Sequence, residues 1–216
     1  MSPDVSSSPS FDRAFCDDLE RLFAWPRDVR RFSSCPLPSG ALEQLVALTA
    51  YAPPVGYSQP SRFVSVCDTA RRTAVIDDYE RANAEAEATY PNARRATYTA
   101  LKLAGLREAP VHLAIFVDTA TTRGEGLGRR SMPEMLAYST VLAVHTFWFA
   151  ARARGIGVGW VSIVDPGVVA RARASLRSCR HAIVDSRRYR RCRVRGHLDF
   201  ESRSSKLRGF PVTILL

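Results

Sequence analysis

The chain has 216 residues, 46% apolar and 24% charged, which suits one globular domain, or a single domain plus a tail. Its formal net charge of +10 is unevenly spread: residues 1–176 carry 20 Lys+Arg against 18 Asp+Glu, while residues 177–216 carry 11 against 3. The domain proper is nearly neutral, so the high overall charge is no argument for nucleic-acid binding.

Residues 1–10 are polar and rich in Ser and Pro, and read as a disordered leader without the basic start and apolar centre of a secretory signal. Phe11, Phe15, Leu19, Leu22 and Phe23 have helical spacing, and the helix should end near Trp25-Pro26 because proline disfavours helix in the residue before it. A Cys-Pro-Leu-Pro-Ser-Gly turn follows, with Ser39 expected to cap a helix from Ala41 to Ala50. The run from Pro53 to Pro60 has three prolines and a glycine and must be a loop. Arg62 to Val66 alternates as a strand, Thr69 to Tyr90 is a charged, alanine-rich helical region, and Arg94 to Leu106 carries another helical pattern. Ala109 to Asp118 is a strongly apolar strand with a proline near its start, where a missing donor is tolerated. Thr119 to Met132 is a loop containing three glycines, and Met135 to Arg154 is a long helix, apolar on most sides. Its apolar part is interrupted by Ser139, Thr140, His145 and Thr146, and falls short of the roughly 20 clean residues that cross a bilayer. Ile156 to Val164 is a glycine-laced strand closed by Asp165-Pro166. Helices and short strands interleaved in this way define an α+β or α/β sheet protein.

The five cysteines, Cys16, Cys35, Cys67, Cys179 and Cys192, are scattered, odd in number and without metal-ligand spacing, as reduced thiols of a cytoplasmic protein would be. The four histidines also lack ligand spacing, and His112 and His145 fall in apolar segments as core or interface residues. No metal site is expected.

Three groups of residues could carry chemistry. Arg27, Asp28, Arg30 and Arg31 cluster just after the first helix; guanidiniums bind phosphate through a planar fork, although a solvated surface run has the same composition. The loop at 53–60 offers backbone amides in a fixed shape, or is a plain connection. Gly155, Gly157 and Gly159 mark a bulge or the close approach of another backbone or a ligand. They lead to Ser162, which lacks the Gly-x-Ser-x-Gly surroundings of a nucleophile but could hydrogen-bond a heteroatom. Gly124 to Arg129 lacks the spacing of a dinucleotide fingerprint.

Taken in order, several stretches resemble the flavin-destructase (dimethylbenzimidazole synthase) branch of the nitroreductase-like superfamily. They are Arg27-Asp28-Val29-Arg30, Pro53 to Pro60, Leu101 to Pro110, Gly126-Leu127-Gly128-Arg129, Tyr138-Ser139-Thr140-Val141, Ala150 to Ala153 and Gly155 to Ile163. The resemblance implies an α+β, nitroreductase-like FMN fold, with a central mixed sheet flanked by helices, in a homodimer holding FMN at the subunit interface. It implies that Arg27 and Arg30, with Asp28 and Val29 between them, grip the phosphate or ribityl end. Pro54, Val55 and Gly56 would border the isoalloxazine, and Leu101 would join the flavin-binding set. Arg94 would belong to an active-site lid, and Asp28 and Ser162 would serve the chemistry. The reaction implied is fragmentation of reduced FMN by O₂ to dimethylbenzimidazole and erythrose 4-phosphate, fed by a flavin reductase or a free supply of reduced flavin.

Two local departures are Pro54, where the family often has serine, and Ser61, where it has an aromatic. The larger one begins near Arg171. Residues 11–175 form the expected FMN domain, whereas 176–216 is an arginine-rich segment of the kind a reading-frame shift or a diverged terminus leaves. Phe210 to Leu216 has strand propensity within it, and without a replacement for the family's buried strand an open sheet edge and lowered stability are expected. Three other functions remain open: an NAD(P)H-dependent nitroreductase that spares its flavin, an inactive FMN-binding chain, and a nucleic-acid-binding tail. The tail has little aromatic interleaving beyond Tyr189, so no nucleic-acid partner is expected.

Overall fold

A computed structural model describes residues 10–25, 28–91, 94–95, 105–173, 183–184 and 207–215, with side chains up to residue 169. Helix α1 (Arg13–Ala24) starts at Asp12, whose carboxylate accepts the Phe15 amide at 2.8 Å, and stops at Trp25, one residue before Pro26. Helix α2 (Ala41–Leu48) runs on into a 3₁₀ turn at Thr49–Tyr51. Its cap is Gly40 at φ 77° with no side-chain bond, so the expected cap at Ser39 is not formed; a glycine in the left-handed region turns the chain into the helix instead.

Strand β1 (Ser61–Ser65) leads to α3 (Thr69–Ala88), capped by Asp68 through the Arg71 amide at 3.0 Å. Strand β2 (His112–Asp118) is buried at every position. Helix α4 (Met135–Arg152), strand β3 (Gly159–Val161), helix α5 (Pro166–Arg173) and strands β4 (Ile183–Val184) and β5 (Leu207–Leu215) complete the order. Of the helix expected over 94–106, Arg94 and Arg95 are helical, and residues 96–104 lie outside the described residues, as do 1–9 of the leader.

The sheet order is β3-β5-β2-β1-β4. β2 pairs antiparallel with β1 (Ile115 opposite Phe63) and with β5 (Leu113 opposite Ile214), and β5 pairs antiparallel with β3 (Trp160 opposite Ile214). β1 also pairs antiparallel with β4, so the sheet expected to be mixed is antiparallel throughout the described strands. The direction of β5, opposite to both of its neighbours, makes it so. β5 lies in the interior of the sheet, where it takes up the backbone groups of β2 that an absent strand would have left unpaired.

Alternation along β1 and β2 divides the core into two halves. Phe63, Leu113 and Ile115 pack with Leu45 and Val46 of α2 and Val144 and Phe147 of α4. Val64, Ala114 and Phe116 pack with Val75 and Tyr79 of α3 and Val169 of α5. Each large aliphatic or aromatic side chain buried in this way contributes roughly 1.5–3 kcal/mol. Helices on both faces of a sheet are the expected α+β architecture. Among the described residues, no helix is long and apolar enough to cross a membrane, and no cluster of ligating side chains could hold a metal ion.

His112, at the start of β2, is a core residue as expected. Its Nε2 pairs with the Leu106 carbonyl at 2.8 Å, while Nδ1 has no partner among the described residues. Burial, reinforced by the Arg72 guanidinium, lowers its pKa to about 4.

Candidate flavin site

After α1 the chain lies against the segment leading into β3. The Val29 amide donates to the Val158 carbonyl at 3.0 Å, and Asp28 Oδ1 accepts the Trp160 amide at 3.2 Å. The glycines opposite make this approach possible. A Cβ on Gly159 would stand 2.6 Å from the Val29 carbonyl oxygen, and one on Gly157 would stand 3.0 Å from Val29 Cγ2. Close approach of another backbone is realised at Gly159, whereas Gly157 meets the Val29 side chain and Gly155, at φ 72°, has nothing within 4 Å.

Asp28 Oδ2 accepts Arg30 Nε at 3.0 Å, and both side chains are about two-fifths exposed, at 38% and 41%. The terminal nitrogens of Arg30 carry no other bond among the described residues. Ser162 is exposed two residues past Trp160. The Asp28–Arg30 pair is accessible and tied to β3 two residues before the exposed Ser162, and a guanidinium edge of this kind suits a phosphate oxygen. Trp160 packs beside Trp148 at 6.1 Å between ring centroids and against the core cluster that holds Phe147.

The other expected group lies elsewhere. Val55 donates its amide to Ser139 Oγ at 2.9 Å, and Ser139 in turn bonds the Met135 carbonyl at 2.6 Å. This places Pro54, Val55 and Gly56 against the first turns of α4, whereas Ser162 lies on the chain that leaves the other end of that helix and Asp28, which follows α1, bonds that chain at Trp160. Ser139 and Arg152 are 13 residues apart, about 20 Å along the helix axis at 1.5 Å per residue. Arg94 is exposed beyond the end of α3, and Arg27 and Leu101 lie outside the described residues.

Sequence patterns assign no role to two residues of the site region. Arg62 is 5% exposed and donates to the Gln59 carbonyl at 3.0 Å, the Ser61 carbonyl at 2.9 Å and Asp118 Oδ2 at 2.5 Å. Asp118 also accepts the Ala120 amide at 3.1 Å, so the pair ties the 53–60 loop to the end of β2. The available signal is a single arginine inside an alternating strand. Ser139 lies within a recognised motif, but its partner, 84 residues away, is visible only in the fold.

A two-faced α+β sheet with an accessible Asp28–Arg30 pair after the first helix defines a class. The chain belongs to the nitroreductase family, whose model matches residues 24–180. Within that family it is similar to 5,6-dimethylbenzimidazole synthase of Rhodospirillum rubrum, with 53% identity over 168 residues, 78% of this chain and 80% of that one. A 5,6-dimethylbenzimidazole synthase of Rhodobacter capsulatus is 39% identical over 162 residues, covering 75% and 78% of the two chains. Among solved structures the fold matches an iodotyrosine deiodinase bound to FMN and 3-iodo-L-tyrosine, with a TM-score of 0.59 and 18% identity over 90% of this chain and 86% of that one. It also matches a nitroreductase with bound FMN from Bacteroides fragilis, with a TM-score of 0.52 and 15% identity over 92% and 86%.

Proposed function

We propose that this chain is an FMN- and O₂-dependent enzyme that fragments reduced FMN to 5,6-dimethylbenzimidazole and erythrose 4-phosphate. The observation that supports the proposal is the bond from the Trp160 amide to Asp28, which ties the Asp28–Arg30 pair to the strand two residues before Ser162. The synthase relatives, at 53% and 39% identity, support the same reading.

Reduced FMN, when bound, supplies both the electrons that activate O₂ and the carbon skeleton of the product. Arg30, with Arg27 beside it in the sequence, grips the phosphate end through charge-assisted bonds. Asp28, oriented by the Trp160 amide and by Arg30, takes a proton from the ribityl chain as the base. Ser162 would donate a hydrogen bond from its hydroxyl to a ring heteroatom and so help to orient the ring. Pro54, Val55 and Gly56 border the ring edge, with Leu101 in the binding set, and Arg94 belongs to a lid that excludes water.

The 53–60 loop is bonded to the first turns of α4 through Ser139, whereas the Asp28 segment is bonded to β3, after that helix has ended. In a homodimer, one copy's Asp28–Arg30 pair would face the other copy's 53–60 loop. Its interface would cover the exposed Phe15 and Leu19 of α1 and Tyr138, Val141 and Leu142 of α4. The enzyme works in the cytoplasm, supplied by a flavin reductase or by free reduced flavin.

The test is to incubate the purified protein with reduced FMN in air and measure dimethylbenzimidazole. Its formation, lost in Asp28→Asn, is the expected result. Steady NAD(P)H oxidation with intact FMN and no dimethylbenzimidazole overturns it in favour of an ordinary nitroreductase.

A further inference from the structure

The Gly126-Leu127-Gly128-Arg129 motif lies outside the segment that holds Asp28. Its loop sits directly on the loop at 53–60. A Cβ on Gly124 would overlap the Gly56 carbonyl, and one on Gly56 would overlap the Leu127 carbonyl; one on Gly128 would stand 2.7 Å from Val55 Cγ2. Gly56, Gly124, Gly126 and Gly128 all have positive φ, at 48°, 67°, 84° and 75°. Among the described residues, every non-glycine with positive φ is also in these two loops: Tyr57, Gln59 and Glu125. Such backbone persists only where its surroundings impose it, and it clusters where a surface must be held in one shape.

The imposing contacts are in place. The buried Arg62–Asp118 pair binds the base of both loops, Thr121 Oγ1 donates to the Ser58 carbonyl at 3.2 Å, and the Leu127 amide donates to the Gly124 carbonyl at 2.8 Å. What this rigid block displays is Leu127, 74% exposed, on the wall of an open cleft of about 750 Å³ that Gly56 and Tyr57 also line. A lone exposed leucine is ordinary; one held at the lip of a cleft by a strained double loop is placed there.

We propose that Leu127 is a flavin-contacting, specificity-determining residue, the apolar wall that closes water away from the ring edge bordered by Pro54, Val55 and Gly56. The Arg62–Asp118 pair is the clamp that positions it. This rests on the FMN reading and adds to it a side chain that decides how dry the ring edge is. An aliphatic surface there excludes water without offering a competing hydrogen bond.

The experiment compares the full chain with Leu127→Ser and Leu127→Met by titrating oxidised FMN, by iodide quenching of the bound flavin's fluorescence, and by thermal melting without ligand. Leu127→Ser is expected to bind FMN about tenfold more weakly, as for one lost aliphatic contact, and to admit iodide more readily at an unchanged melting temperature. Leu127→Met should stay within about twofold of the parent in both measures, as a volume-conserving exchange. Parent-like binding and quenching in Leu127→Ser overturns the proposal, as does a loss of binding matched by a fall in melting temperature. A parent that binds FMN without yielding dimethylbenzimidazole sinks the fragmentation reading alone, and iodide quenching then decides the role of Leu127. A parent that binds no FMN sinks both.

Discussion

Asp28 and Trp160 are joined by one hydrogen bond across 132 residues of chain, from the Trp160 amide to Asp28 Oδ1 at 3.2 Å. The bond uses a side chain from the segment after α1 to satisfy the central amide of β3, two residues before Ser162. Asp28→Asn keeps an acceptor for that amide and removes the base. Dimethylbenzimidazole formation is expected to fall by about 10²-fold or more, while FMN affinity and melting temperature change little. Product assays set against FMN titration of the same preparation check this, and an unimpaired variant would remove Asp28 from the chemistry.

The approach of Val29 to β3 depends on Gly159, where a Cβ would meet the Val29 carbonyl at 2.6 Å. Gly159→Ala must push the Asp28–Arg30 segment away or shift β3, at a cost of about 1–3 kcal/mol, typical of overpacking. Urea titration measures the stability loss, and FMN titration should show weaker binding because Arg30 moves with the segment.

Arg62 and Asp118 form an ion pair with side-chain exposures of 5% and 12%. Arg62→Met leaves a buried carboxylate without its partner and should cost about 3–5 kcal/mol. Arg62→Met combined with Asp118→Leu should recover much of this, because the uncompensated charge is gone. Denaturant melts of the single and double variants give the comparison; equal losses in both would show that packing, not charge, dominates.

His112 makes stability depend on pH. Folding lowers its pKa to about 4 from the ordinary 6.5, so between these values the unfolded chain binds the proton and the folded one does not. The His112 contribution is therefore constant above about pH 6.5 and declines as pH falls from 6.5 towards 4, by at most about 3 kcal/mol. His112→Asn should flatten this part of the pH–stability curve, measured by urea titration at several pH values.

Deleting residues 207–216 tests the place of β5. A strand hydrogen-bonded on both sides leaves two open edges when removed, with each stranded backbone group costing roughly 1–3 kcal/mol. The truncated chain should lose its cooperative melt and associate, as seen by light scattering. A sharp melt like that of the full chain would place β5 outside the stable fold.

Much of this protein is decided by local chemistry and is legible in the chain itself. Apolar periodicity marks α1, α4 and β2, Trp25-Pro26 ends the first helix, and prolines and glycines mark the 53–60 loop, because each rests on steric and burial preferences that act within a few residues. The ordered motifs likewise carry the family. The Ser39 cap failed locally, since the left-handed turn available to Gly40 competes with a hydroxyl cap and nothing in the sequence ranks the two. Non-local decisions needed the fold. The alternation of Gly157 and Gly159 cannot say whether a ligand or a backbone approaches, and the partner proved to be Val29. The strand propensity of the last residues could not say where a strand would pair, and β5 entered between β2 and β3 because sheet neighbours are chosen by hydrogen-bond partners far away in sequence. Arg62 finds Asp118, and Asp28 finds Trp160, for the same reason: burial and charge pairing are settled only when distant segments share one core.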